Sequence, residues 1–373
     1  IRRLFGEEAP SEVGFVIDTP YDPVLQRQTE QALRDGIDAV YARRGTIEPK
    51  RRITDTDGFH AFVAAAEGLR RSPDDHPMVP EVGDCFEAMV RGGWYDVQAG
   101  PYRVSLPREA WLSQVRDPEE WRSLASMPWG TVVDVCMEEA GPKLVESDWL
   151  TGAAVVLDNE TGGVMALASG RSMELEGFNQ ATQARRQPGS TFKPYVYGTA
   201  LEQGRTQLDI ELDAPVRIGN WTPTNAGSYS GPLTLRTALT FSRNTVAARL
   251  IADVGARSVQ QFAHAAGIRS PLRDDLTIAL GSSEVTLLEH ASAYGSFARQ
   301  GIAIEPVFVQ RLSDVDGRHV AEPGDRIELA DRAVRLPGQP ERVMKPDTAA
   351  QIVDMLQSVV RRGTGRRAFR EGQ

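Results

Sequence analysis

Gln187-Pro188-Gly189-Ser190-Thr191-Phe192-Lys193-Pro194 sets a serine three residues ahead of a lysine, at what reads as the start of a helix. The chain has 42 basic residues, yet only four are lysine: Lys50, Lys143, Lys193 and Lys345. Elsewhere the positive charge is arginine, whose guanidinium keeps its proton in a protein, whereas a desolvated ammonium can give one up. A lysine retained here points to a removable proton beside a hydroxyl able to attack a carbonyl. Residues i and i+3 share a helix face, so the tips of Ser190 and Lys193 can converge. Pro194 lacks an N–H and belongs in an opening turn, which places the helix start close to Ser190. By itself, Ser-x-x-Lys is a weak pattern. It equally describes a serine N-cap followed by an exposed lysine.

Working outward, the 373 residues allow two domains, or one large domain with an insertion. A hydrophobic content of 41% supports ordinary cores, and a net charge of −9 argues against nucleic acid and against tight binding to an anionic membrane. There is no run of about 18 apolar residues, and Ile1-Arg2-Arg3-Leu4-Phe5 lacks the pattern of a signal peptide. Histidines 60, 76, 264, 290 and 319 form no ligand-spaced pair with cysteine or carboxylate, so neither metal nor cofactor is expected. Cys85 and Cys136 both fall in strand-like stretches; the sequence leaves open a disulfide or two buried thiols.

Residues 13–19 read as a strand, followed by Asp22 as N-cap, Pro23 as first helical residue and an amphipathic helix over 23–43. From about 77 to 139 short strands alternate with turns: Phe86–Val90, Tyr95–Gln98, Tyr102–Leu106 and Thr131–Met137, with turns at Gly92-Gly93 and Gly100-Pro101. Trp94, Trp111, Trp121 and Trp129 fall here and read as core or interface. Beyond Gly152 a hairpin (153–157 with 164–168) precedes the Ser190 segment. Helices are expected over about 233–252, 257–266, 285–300 and 347–361, and a strand pair over 306–320 turns at Asp316-Gly317. Phe241-Ser242-Arg243-Asn244 sets a hydroxyl and an amide two residues apart, suited to a loop tip where both enter one cleft. Alone it also describes a Ser/Asn helix break.

In order, Phe178 to Pro194, Trp221-Thr222-Pro223-Thr224-Asn225, Gly231-Pro232-Leu233-Thr234-Leu235-Arg236, Ser242-Arg243-Asn244, Ala279-Leu280-Gly281-Ser282 and Arg362-Gly363-Thr364-Gly365-Arg366 closely resemble the class A penicillin-binding proteins. The likeness is strong over 150–312 and 345–370, and weak through the β-rich stretch. It implies an α+β serine acyl-transferase (penicillin-binding/β-lactamase-like) fold with an antiparallel sheet and helices. A small β-rich, OB-like module would be inserted in it. The domains implied are a lead-in strand and helix (1–58), the β-rich module (59–148) and the transpeptidase domain (149–373).

By the same resemblance Ser190 is the nucleophile toward a D-Ala-D-Ala carbonyl, and Lys193 the general base. Ser242 relays the proton to the leaving D-alanine, Asn244 positions the substrate amide and Lys193, and Trp221, Asn225 and Thr191 contribute to substrate binding. The expected partners are peptidoglycan stem peptides on lipid II-derived glycan strands, β-lactams as inhibitors and other cell-wall synthesis proteins. The expected location is periplasmic or extracytoplasmic, with membrane contact only through an anchor outside this stretch. The family's Lys-Thr-Gly motif has no counterpart here, because Lys345 is followed by Pro346-Asp347. The expectation is therefore a region of a longer protein, impaired as a catalyst when alone. A D,D-carboxypeptidase or β-lactamase-like hydrolase, and a non-catalytic peptidoglycan- or divisome-binding scaffold, are the competing readings.

Overall fold

The computed structural model describes residues 15–44, 50–92, 96–106, 128–139, 141–144, 151–170, 178–314, 316–317, 319–328 and 333–369. The chain divides into two compact units, Ile1–Gln31 with Ala153–Gln373, and Ala32–Gly152. Trp94, Trp111, Trp121 and the Gly93 half of the expected turn lie outside the described residues.

Strand β1 (Phe15–Asp18) precedes helix α1 (Pro23–Arg44). The Asp22 carboxylate accepts the N–H groups of Val24 and Leu25, so the expected cap with proline at the first helical position is present. The residues that follow form the smaller unit: β2 (Arg51–Arg52), α2 (Thr56–Ala65), β3 (Cys85–Gly92), β4 (Asp96–Ala99), β5 (Tyr102–Ser105), β6 (Thr131–Glu138) and β7 (Gly141–Leu144). They make an antiparallel sheet in the order β2-β6-β3-β4-β5, with β7 added to β6. Residues 86–90 are buried on both faces, so the period-2 alternation of a half-exposed strand is missing there. Cys85 lies directly opposite Cys136 across β3 and β6, and the two form a disulfide. This resolves the choice the sequence left open.

The larger unit resumes with hairpin β8 (Ala153–Leu157) and β9 (Val164–Ser169). The turn is held by the Asp158 carboxylate, which accepts the N–H groups of Glu160 and Thr161. The Gln26 side chain of α1 bonds both the N–H and the C=O of Leu167, standing in for a neighbouring strand on β9. Among the described residues β8 pairs only with β9. After β10 (Arg185–Arg186) comes helix α3 (Lys193–Glu202), in which Lys193 to Leu201 are all buried. A helix buried all round carries no amphipathic stripe. Gly198 is required where α3 meets Phe262, since a Cβ there would lie 2.6 Å from the ring.

Hairpin β11 (Ile210–Asp213) and β12 (Gly231–Thr234) leads to α4 (Leu235–Thr240), α5 (Asn244–Val254) and α6 (Ala256–Ala266). The helix expected over 233–252 is therefore two helices, and Ser242 is at the break. Its backbone is left-handed, with φ +55°. Ser242 N–H bonds Leu239 C=O at 3.0 Å and Arg243 N–H bonds Ala238 C=O at 2.9 Å, the bonding of a Schellman cap. Glycine normally takes this position; a serine costs about 1 kcal/mol in backbone strain. The remaining elements are β13 (Val285–Thr286), α7 (Leu287–Ala298), β14 (Ile302–Ala303), β15 (Arg311–Asp314), β16 (His319–Ala321) and, after further short strands, α8 (Pro346–Arg362) and α9 (Arg366–Phe369). β15 pairs with β1 and β16, so the expected strand pair forms. The main core joins α3 to α5, α6, α7 and α8 through residues such as Tyr195, Val196, Leu250, Phe262, Phe297, Ile352 and Met355.

Candidate active site

Ser190 lies in a 3₁₀ turn, Gly189–Phe192, and α3 begins only at Lys193, whose N–H bonds the Ser190 carbonyl. The helix start expected close to Ser190 is thus a tighter turn feeding the helix, with Pro194 in its first turn. The turn is pressed from behind by Gly281, whose φ is +72° and at which a Cβ would lie 2.2 Å from the Gly189 carbonyl oxygen. Gly281 is needed for the two backbones to approach this closely, and Gly189 is favoured for its left-handed φ of +58°.

The Lys193 side chain is fully buried. Its Nζ donates to the Ser242 carbonyl at 2.6 Å, the Ser242 hydroxyl at 2.9 Å and the Asn244 Oδ1 at 2.7 Å. The left-handed backbone of Ser242 brings its carbonyl and its hydroxyl to the same amine. Burial lowers the pKa of Lys193 to about 8 from an ordinary 10.5. A buried ammonium loses hydration that three acceptors only partly replace, so its proton is held weakly enough to leave near neutral pH. Ser190, three residues ahead of Lys193, is exposed. Among the bonds of the described residues none joins its hydroxyl to Lys193 or Ser242, so the amine faces the second motif and the serine faces solvent.

Asn244 is oriented by Thr224, whose carbonyl accepts from its Nδ2 at 2.8 Å and turns Oδ1 toward Lys193. Asn225 lies in a layer behind it. Its Oδ1 accepts the Asn244 N–H at 2.8 Å, and its Nδ2 donates to Asp213 at 2.6 Å. Asp213, fully buried, also accepts from the Thr245 hydroxyl at 2.6 Å and the Ser230 N–H at 2.9 Å, with Arg243 at 3.5 Å. Burial alone would raise its pKa, but the bonds from Thr245, Asn225 and Ser230, with the Arg243 charge, outweigh burial and lower it. The carboxylate is therefore a fixed charge anchoring the loop that carries Asn244. Sequence reading missed Asp213. The signal available was an acidic residue closing a short alternating strand, just ahead of Ala214-Pro215.

The candidate residues thus fall into three places. Lys193, Ser242 and Asn244 converge, with Asn225 directly behind, and Ser190 is exposed in the turn that leads into Lys193. Thr191 is exposed, with its hydroxyl bonded to the Pro188 carbonyl at 2.8 Å and to His290 at 2.9 Å. Trp221 sits in a tight turn with Ile218 and packs partly buried against the main core. No cluster of three or more metal-ligating side chains occurs among the described residues, and no described helix is long and apolar enough to cross a membrane.

The comparison with known proteins agrees with this geometry. The family model "Penicillin binding protein transpeptidase domain" matches residues 152–373, more than half of the chain. Penicillin-binding protein 1A of Neisseria gonorrhoeae is 38% identical over 255 residues, covering 65% of this chain and 31% of that protein. The Neisseria flavescens counterpart is 36% identical over 384 residues, covering 99% of this chain and 46% of its own length. The chain thus spans less than half the length of these relatives. In fold it is similar to penicillin-binding protein 1A of Haemophilus influenzae, with a TM-score of 0.62 at 23% identity over 98% of this chain and 58% of that one. With the Ser-x-x-Lys turn, the Ser-x-Asn break and their convergence inside the matched segment, the chain belongs to the penicillin-binding protein transpeptidase family.

Proposed function

We propose that this chain is the D,D-transpeptidase region of a peptidoglycan synthase, working through an acyl-serine intermediate. The observation that carries the reading is the buried Lys193 amine, held by Ser242 and Asn244 one short turn after an exposed serine. Neutral Lys193 takes the proton from the Ser190 hydroxyl as Oγ bonds to the carbonyl carbon of the penultimate D-alanine of a stem peptide. The tetrahedral oxyanion is met by the Ser190 N–H in the 3₁₀ turn ahead of α3. The C–N bond then breaks, and the leaving D-alanine takes up a proton passed from Lys193 through the Ser242 hydroxyl. Asn244 and the Asn225–Asp213 layer hold the substrate amide and the base in register. An amine of a second stem peptide attacks the ester, forming a cross-link and freeing Ser190; a β-lactam leaves Ser190 as a slowly hydrolysed ester.

This reading puts the protein on the extracytoplasmic side, where lipid II-derived strands are polymerised and other cell-wall synthesis proteins work. The domain arrangement proposed with it is a transpeptidase domain interrupted by the β-rich unit. Trp221, Asn225 and Thr191 act as supports of the site: Trp221 packs against the main core, Asn225 ties Asn244 to Asp213, and the Thr191 hydroxyl bonds the Pro188 carbonyl and His290. The test is labelling with a fluorescent penicillin, Ser190→Ala serving as control, followed by a stem-peptide donor with an acceptor amine. Label that requires Ser190, with cross-linked product, supports the reading. Label that survives Ser190→Ala rejects it, and hydrolysed product alone replaces it with a D,D-carboxypeptidase.

A further inference from the structure

The turn bearing Ser190 is held from one side by Gly281 and from the other by α7. On α7, His290 and Tyr294 are four residues apart and so lie on one face. Tyr294 OH donates to the Thr191 carbonyl. His290 Nε2 lies 2.9 Å from the Thr191 hydroxyl, and its Nδ1 lies 3.1 Å from the Tyr195 OH. Thr191 has one hydroxyl proton, and it goes to the Pro188 carbonyl, which can only accept. His290 Nε2 must therefore carry a hydrogen and donate to Thr191. The Nδ1 of a neutral ring is then a lone pair, which accepts from Tyr195.

The bonds run in one direction: Tyr195 OH to His290 Nδ1, His290 Nε2–H to Thr191 Oγ1, Thr191 OH to the Pro188 carbonyl. Tyr195 is fully buried within the aromatic cluster of Phe192, Tyr294 and Phe297, so its hydroxyl has no water to turn to. Reversing the ring tautomer would set two lone pairs against each other at Thr191 Oγ1 and leave the Tyr195 hydroxyl proton facing an N–H at the other end. The start of α7 is itself pinned: Thr286 and Glu289 form a capping box, and Glu289 also accepts the N–H groups of Arg269 and Ser270. Burial lowers the His290 pKa to about 4, against the opposing pull of Glu289, which keeps the ring neutral at the working pH.

We infer that His290, as the neutral Nε2–H tautomer, is a positioning residue for the nucleophile, fixing the Pro188–Thr191 turn so that Ser190 is presented to Lys193. The inference rests on the acyl-serine reading for its effect on rate, while its effect on the turn stands without it. Thr191 adjoins Ser190, and a shift of the turn by about 1 Å is enough to cost roughly a hundredfold in rate.

The test uses two amide substitutions that each keep half of the imidazole. In His290→Gln the longer side chain carries its amide nitrogen to the former Nε2 position and keeps the donor to Thr191. In His290→Asn the shorter side chain reaches only the former Nδ1 position and keeps the acceptor for Tyr195. Each variant loses one ring bond, the part-buried one to Tyr195 in His290→Gln and the exposed one to Thr191 in His290→Asn, so His290→Asn, predicted to be the slower, is not the variant expected to lose more stability. His290→Gln is expected to acylate with fluorescent penicillin within about threefold of the parent, and His290→Asn to fall at least about tenfold. Amide hydrogen exchange over residues 189–193 is expected to quicken in His290→Asn and not in His290→Gln, and this readout needs no acylation. Ring ¹⁵N shifts of the parent protein are expected to give Nε2–H. Equal acylation and exchange in both variants, or a ring protonated at Nδ1, overturns the inference. Failure of the parent to acylate, with exchange still separating the variants, would instead reject the acyl-serine reading and leave the clamp standing.

Discussion

Lys193 offers the sharpest test of the chemistry, because its burial converts directly into a pH profile. With a pKa of about 8, roughly one amine in ten is neutral at pH 7 and nine in ten at pH 9. An unperturbed lysine at 10.5 would be neutral about 300-fold less often at pH 7. If neutral Lys193 is the base, the second-order rate of Ser190 acylation by a fluorescent penicillin should rise about tenfold from pH 7 to 9, then level off. The profile is read by rapid quench and gel fluorescence, with each rate corrected for spontaneous probe hydrolysis. Lys193→Arg, whose guanidinium keeps its proton, should lower the rate by ~10³-fold at every pH while the helical signal persists. The same shift has a stability consequence. The folded pKa is below the unfolded one, so the neutral amine is favoured by folding. Stability should therefore rise as pH climbs from about 8 toward 10.5, by up to about 3 kcal/mol from this group. A rate flat from pH 6 to 10, or labelling retained in Lys193→Arg, would refute the assignment of the base.

The strained Ser242 predicts a separation of stability from activity. Ser242→Gly relieves a left-handed backbone but removes one bond to Lys193, so the urea midpoint should move by less than about 1 kcal/mol while acylation falls at least about a hundredfold; a parallel loss of both would show that the serine is only structural. Asp213→Ala strips the acceptor from Asn225, Thr245 and Ser230 in a buried place, and urea unfolding should report a loss of about 3–5 kcal/mol. A loss below about 1 kcal/mol would mean the carboxylate is no anchor. Gly281→Ala drives a methyl into the Gly189 backbone, and penicillin acylation should fall more than thermal stability does; wild-type acylation would count against the close approach as the support of Ser190. Breaking Cys85–Cys136 opens a loop of sequence separation 51, worth about 4 kcal/mol by chain entropy. Five of the six tryptophans fall between 94 and 149, so tryptophan fluorescence follows that unit, and an unchanged midpoint under dithiothreitol would contradict a stabilising bridge.

Much of the larger unit was legible in the chain itself. The Asp22-Pro23 start, the 153–168 hairpin, the last helix and the Ser-x-x-Lys turn all rest on local signals: caps, proline position, turn residues and periodicity. Such signals act over a few residues and survive without tertiary context. A guanidinium-rich chain that keeps a lysine three residues after a serine pointed to acyl transfer only together with the other motifs in order. The rest depended on groups far apart in sequence. Whether Cys85 and Cys136 join turned on strand register across 51 residues. Residues 241–244 read as a loop tip or helix break even though a helix was expected over 233–252, but the left-handed cap at Ser242 had no distinctive residue pattern. The lowered pKa of Lys193, the Asp213 anchor behind Asn225 and the His290 link to Thr191 come from packing α3, α5 and α7 together. Desolvation and hydrogen-bond direction are properties of a filled three-dimensional neighbourhood. The order of residues determined which groups were available, and only burial decided which proton could move.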